Sequence, residues 1–173
     1  REKAYSSGVI VDGWVLTDQI YSIFSQGKQQ DVPIIVGFNG DEAYPYRHDR
    51  IRNKQAYLQD VRQQYGALAN EYLSVYPADE WKQSIERHSG YAGFGWTMEG
   101  VARMMGRVSS DAYLYFFNHK IPGAQAAFHT AEISYVFNNE KHAVRYSPNI
   151  PALAPRELDI TLANIMSDYW VSF

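Results

Sequence analysis

The chain has 173 residues, no cysteine, a formal net charge of −3 and 15% aromatic side chains. That length suits one domain or a piece of a larger one, with roughly 70% of the unfolded surface buried on folding. The charge balance excludes the strongly basic face of a dedicated nucleic-acid binder. Absent thiols exclude disulfides, zinc–thiolate sites, iron–sulfur clusters and a cysteine nucleophile.

In chain order, Val9-Ile10-Val11 and Trp14-Val15-Leu16 flank Asp12-Gly13, a short-hairpin signal, because both turn positions want positive φ. Thr17-Asp18 precedes a short helix around 19–25, with Ile20, Ile23 and Phe24 at helical spacing and Gly27 as its stop. Val32-Pro33-Ile34-Ile35-Val36-Gly37-Phe38 is continuously apolar, as suits a strand covered on both faces of a parallel sheet. Residues 54–107 read as mostly helical, with stripes of Tyr57, Leu58, Val61 and Tyr65, then Leu68, Tyr72, Leu73 and Tyr76. A third helix starts at Pro77 and carries Trp81 and Ile85. A glycine-aromatic loop over 90–95 precedes a helix over 96–108, whose Phe94, Trp96, Met98, Met104 and Met105 neighbourhood reads as core. Ala112–Phe117 is the second strong strand. A loop over 118–130 turns at Pro122-Gly123, and 139–155 is polar and Pro-rich. Pro155 opens a last helix with Leu158, Leu162, Ile165, Met166 and Tyr169 as its buried stripe. The pattern is α/β.

No apolar run reaches the ~18 residues of a membrane span, and the polar start lacks the apolar core of a signal peptide. The first residue is Arg1 and the last four, Trp170-Val171-Ser172-Phe173, read as mid-helix. The sequence is therefore expected to be a piece of a longer polypeptide.

Glu42 and His129 each follow the C-terminal end of a strong strand, where catalytic groups collect in open α/β sheets. A carboxylate that holds an imidazole in one tautomer is the working part of a nucleophile–base–acid device. The bland alternative makes Glu42 a solvated loop acid and His129 an ordinary loop histidine. His129 and Glu132 at i, i+3 also have the spacing of two metal ligands, but no third ligand stands nearby. Ser109-Ser110 sits between a helix and a strand, the reverse of a nucleophile elbow, and Ser6-Ser7-Gly8 lacks its flanking glycines. His48 lies in a charged loop with Arg47, Asp49, Arg50 and Arg52. His88, His119 and His142 show no partner pattern and read as surface residues.

The stretches Val11–Leu16, Gly27-Lys28, Asp31–Gly37 and Asn39-Gly40-Asp41-Glu42, then Gly123-Ala124 to His129 and Glu132–Phe137, resemble the C-terminal third of type-B carboxylesterases. These form the cholinesterase-like branch of the α/β-hydrolases. The closing helix with Tyr169-Trp170 is similar too, and the match is weakest over 43–110. The resemblance implies an α/β fold made of a few mostly parallel strands with flanking helices. It makes 1–173 the C-terminal fragment of a single α/β-hydrolase domain, without the nucleophile-bearing N-terminal part. It implies that Glu42 is the triad acid, His129 the base, Asp41 a loop acid without direct catalytic role and Glu132 a carboxylate behind the triad. Ala43 departs from the family's usual Gly, and no Gly-x-Ser-x-Gly elbow or Gly-rich oxyanion loop occurs in these residues.

The expected function is thus that of a serine carboxylesterase acting through a Ser-Glu-His triad, with the fragment alone inactive and no cofactor or metal required. Its implied partners are a small-molecule ester and the rest of the hydrolase chain upstream. The last helix offers a homodimer surface, as in some relatives, and export to the exterior or periplasm is the family analogy. The competing reading is a cholinesterase-like binding or adhesion protein that keeps the fold without catalysis. Such proteins usually lose triad residues, whereas both that fall in this sequence are present.

Overall fold

The computed structural model describes residues 9–42, 51–139 and 153–173. The chain forms two compact units, one from the described parts of Arg1–Val36 and Met98–Leu114, the other from those of Gly37–Thr97 and Tyr115–Phe173. Both strands begin in the first unit and end in the second.

In the first unit the expected hairpin is absent. The Asp12 carboxylate accepts the backbone N–H groups of Trp14, Val15 and Leu16 at 2.9, 2.9 and 3.1 Å, and Gly13 takes φ +75°. A side chain that captures three successive amides closes a local turn and removes the donors a strand would need. Helix α1 (Ile20–Ser25) ends as expected at Gly27, φ +66°. Lys28 N–H bonds Ile23 O and Gly27 N–H bonds Phe24 O, the paired closure of a Schellman cap. Asp31 accepts from Ser109 Oγ at 2.5 Å and Ser110 N–H at 2.8 Å, so these serines build a turn. Those bonds, the Ser109 hydroxyl foremost, hold the Asp31 carboxyl down at about 2.

Strand β1 (Ile34–Asn39) starts after Pro33, which has no N–H to give a ladder. Strand β2 (Ala112–Phe117) has the predicted bounds. Ile34 N–H bonds Asp111 O and Gly40 N–H bonds Phe117 O, so the register advances together and the pair is parallel. No further strand pairs with them among the described residues.

In the second unit one core cluster joins Phe117, Ile121, Ala127, Phe128, Ala131, Tyr135 and Ala163. It is built from the end of β2, the loop after it, helix α6 (Ile133–Val136) and helix α7 (Glu157–Ser172). A second cluster is helical and centres on Tyr57, Val61, Ala69 and Ile85. It belongs to α2 (Lys54–Tyr65), α3 (Ala69–Val75) and α4 (Trp81–His88). The predicted Tyr57/Val61 stripe is inside, while Leu68, in a 3₁₀ turn, is exposed.

The expected glycine-aromatic loop is instead a π-helical segment, Ser89–Gly95, running into α5 (Trp96–Met105). Phe94 and Trp96 are exposed rather than core, whereas Met105 is buried. Helix α7 begins at Glu157, after an Arg156 N-cap. Its buried face is Asp159 and Ala163, flanked by Leu162 and Met166; Leu158, Ile165 and Tyr169 face outward. The predicted stripe was rotated because a buried aspartate leads the real one. No helix among the described residues is long and apolar enough to cross a membrane.

Candidate active site

The acid comes from the turn that ends β1. Glu42 is 6% exposed in its side chain, and its Oε1 accepts the Asn39 backbone N–H at 2.7 Å. The turn is backed by the π-helical segment. A Cβ on Gly90 would lie 2.2 Å from the Gly40 carbonyl oxygen, and one on Gly95 would lie 2.8 Å from the Phe38 ring. Only glycine permits that approach, and a π-helical segment is a common companion of functional sites.

The imidazole comes from the loop after β2. Two backbone-level contacts fasten this loop to the acid turn. Asp41 N–H donates to Ala127 O at 3.0 Å, and Ala127 N–H donates to Asp41 Oδ2 at 2.8 Å. Asp41 and Phe128 form a parallel bridge. Thr130, next to His129, holds φ +78°, a strained value for a β-branched residue and one that sharpens the corner presenting the ring.

His129 Nδ1 lies 2.6 Å from Glu42 Oε2, although the residues are 87 positions apart. An ionised carboxylate only accepts hydrogen bonds, so the proton of neutral His129 belongs on Nδ1 and the lone pair on Nε2. The imidazole is 56% exposed, leaving Nε2 accessible to a reacting hydroxyl. Phe94 flanks the ring, with centroids 5.8 Å apart and planes at 32°. Glu132 sits behind the pair. Its Oε2 accepts from Asn39 Nδ2 at 2.5 Å, and its Oε1 lies 3.4 Å from the Tyr115 hydroxyl. Burial, then the charges of Glu132 and Glu42, push the Tyr115 phenol up to about 12. Those partners account for Glu132 without a metal. Among the described residues no three His, Cys, Asp or Glu gather as a metal site.

The sequence-designated Glu42, His129 and Glu132 therefore share one site, and Asp41 fastens its two loops. The other histidines among the described residues do not join it. His119, expected at the surface, pairs with buried Asp159 at 2.6 Å, and His88 packs among Tyr65, Tyr72 and Tyr76. His48, Ala43, His142 and Ser6-Ser7-Gly8 lie outside the described residues.

A model of the carboxylesterase family matches residues 1–173. The chain belongs to the carboxylesterase family. A fumonisin B1 esterase of Sphingopyxis macrogoltabida is 31% identical over 96% of the chain, which spans 32% of that protein. The Aspergillus niger EstA structure superposes with a TM-score of 0.70 at 20% identity, covering 94% of this chain and 34% of EstA. A PNB esterase structure gives 0.67 at 18% identity, covering 94% and 33%. The carboxylesterase segment thus spans about a third of the relatives' length, and the structural neighbours establish the α/β-hydrolase fold.

Two residues of this candidate site carry no signal of their own in the sequence pattern. Asn39 reads as the first residue of an Asn-Gly turn and Tyr115 as an ordinary strand aromatic. Asn39 ends β1 just before the Glu42 turn, which was the signal available, whereas Tyr115 lies within β2.

Proposed function

We propose that this chain supplies the acid and the base of an ester-hydrolysing triad, Glu42 and His129, as the C-terminal part of one α/β-hydrolase domain. The nucleophilic serine then comes from outside these residues, since no Gly-x-Ser-x-Gly occurs here. The reaction is acyl transfer from a carboxylic ester. His129 Nε2 takes the proton as the serine hydroxyl adds to the ester carbonyl. The resulting imidazolium, stabilised by Glu42, returns that proton to the departing alcohol, leaving an acyl-serine. Water then repeats the cycle, giving up its proton to His129 as it attacks, and the serine is released with the acid product. Glu132 lies behind the pair and holds Asn39.

The observation that carries this reading is the 2.6 Å contact between His129 Nδ1 and Glu42 Oε2, with the imidazole half exposed. The test compares p-nitrophenyl butyrate hydrolysis by two polypeptides. One is this chain; the other carries the same residues together with a serine elbow. The first is expected to stay at buffer background, and the second to turn over in a manner abolished by His129→Ala. Hydrolysis by the chain alone that survives His129→Ala would overturn the proposal.

A further inference from the structure

We propose that Asn39 is the positioning residue that locks acid and base of this site into one geometry; the inference rests on the triad reading above. Asn39 is fully buried at the end of β1 and touches both catalytic loops at once. Its backbone N–H donates to Glu42 Oε1 at 2.7 Å. Its carboxamide nitrogen donates to Phe128 O at 2.8 Å and Glu132 Oε2 at 2.5 Å. Phe128 is covalently joined to His129, whose Nδ1 lies on Glu42 Oε2. The contacts close a ring: Asn39 to Glu42, Glu42 to His129, His129 through its own backbone to Phe128, and Phe128 back to Asn39.

Two features make the side chain specific to this task. First, both acceptors facing the carboxamide are oxygen atoms, so only an NH₂ group satisfies them; aspartate has no proton to give and adds a charge beside Glu132. Second, the same requirement fixes the amide's orientation, because the flipped form would aim Oδ1 at two other acceptors. Asn39 Oδ1 is buried without a hydrogen-bond partner among the described residues. Among the described residues the His129 ring is held by Glu42 on one nitrogen and by the Phe94 face. Its placement is therefore set through Phe128 and Glu42, the two groups that Asn39 grips.

The tautomer of His129 reads this out. Long-range ¹H–¹⁵N correlation spectra of the chain are recorded at about pH 8.5, roughly two units above an ordinary imidazole pKa. The parent is expected to show His129 as a single Nδ1–H tautomer. His119 serves as an internal control: its Nε2 lies 2.6 Å from Asp159 Oδ1 and 3.2 Å from Arg156 Nη2, away from Asn39's partners, so its signature should be the same in parent and variants. Asn39→Asp and Asn39→Ser are expected to lose the His129 signature, giving a mixture dominated by Nε2–H, while His119 is unmoved. Glu42→Gln calibrates the severed state. A parent without the Nδ1–H form defeats the triad reading itself, and the Asn39 role with it. A parent that has it, together with variants that keep it, overturns only the Asn39 role. Loss of the His119 signature as well in both variants means that Asn39 supports the core at large, which also overturns a positioning role.

Discussion

His129 and His119 each lie 2.6 Å from a carboxylate that is almost wholly buried, yet their surroundings differ in kind. Among the described residues Glu42 receives one backbone N–H and one imidazole. Asp159 receives His119, the Tyr135 hydroxyl at 3.0 Å, and the Arg156 backbone N–H and guanidinium at 2.7–2.9 Å. Burial alone would raise the Asp159 carboxyl, but the Arg156 side chain first, and His119 next, hold it well below the usual carboxylate range. The His119 ring is only 20% exposed, against 56% for His129. The lesson is that distance alone does not tell the proposed catalytic pair from a structural one. What distinguishes them is whether the carboxylate has other cationic partners and whether the second imidazole nitrogen is reachable.

The most severe way to break this comparison is kinetic. In a polypeptide that also carries the serine, His129→Ala is expected to lower kcat about 10⁴-fold or more. His119→Ala should lower it less than about tenfold; equal losses in the two variants would erase the distinction. Stability should reverse the order. Asp159→Asn removes the carboxylate under Arg156 and His119 and is expected to cost about 3 kcal/mol in urea unfolding. Glu42→Gln is expected to cost about 1 kcal/mol.

The pH dependence sharpens the second contrast. The Asp159 carboxyl is lowered in the folded state, so its contribution is complete above its unfolded value of about 3.9 and is lost as pH falls from there toward the native value. The Tm gap between the parent and Asp159→Asn should therefore be constant above about pH 5 and shrink on acidification. A gap that widens in acid has the wrong sign. The smallest effect concerns the corner beside the exposed ring. Thr130→Gly relieves a positive φ and is expected to raise stability by about 1 kcal/mol, net of the entropy that glycine adds to the unfolded chain.

Much of this was legible from residue patterns, and the failures share a cause. Strand β2 is an unbroken apolar run and has the predicted limits, and β1 is shortened only by Pro33. Glu42 sits in the turn just past β1 and His129 in the longer loop after β2, polar residues on the C-terminal side of the two strands that the apolar runs mark. The π-helical segment was read as a loop because Gly90, Gly93 and Gly95 erase helical periodicity; its winding follows from close packing on Gly40 and Phe38. The stripe of α7 was misplaced because Asp159 is buried only by virtue of His119, Tyr135 and Arg156, partners that no local window contains. At the hairpin, the Asp12 side chain competed with strand pairing and prevailed.

The bridge that joins Asp41 to Phe128 means that the acid turn and the imidazole loop are not two independent tethers. Neither can swing away without breaking the same small set of hydrogen bonds. Solvent deuterium should therefore reach the amides of Asp41 and Ala127 in a single shared opening event. The contact between Glu42 and His129 then persists for as long as that opening is rare.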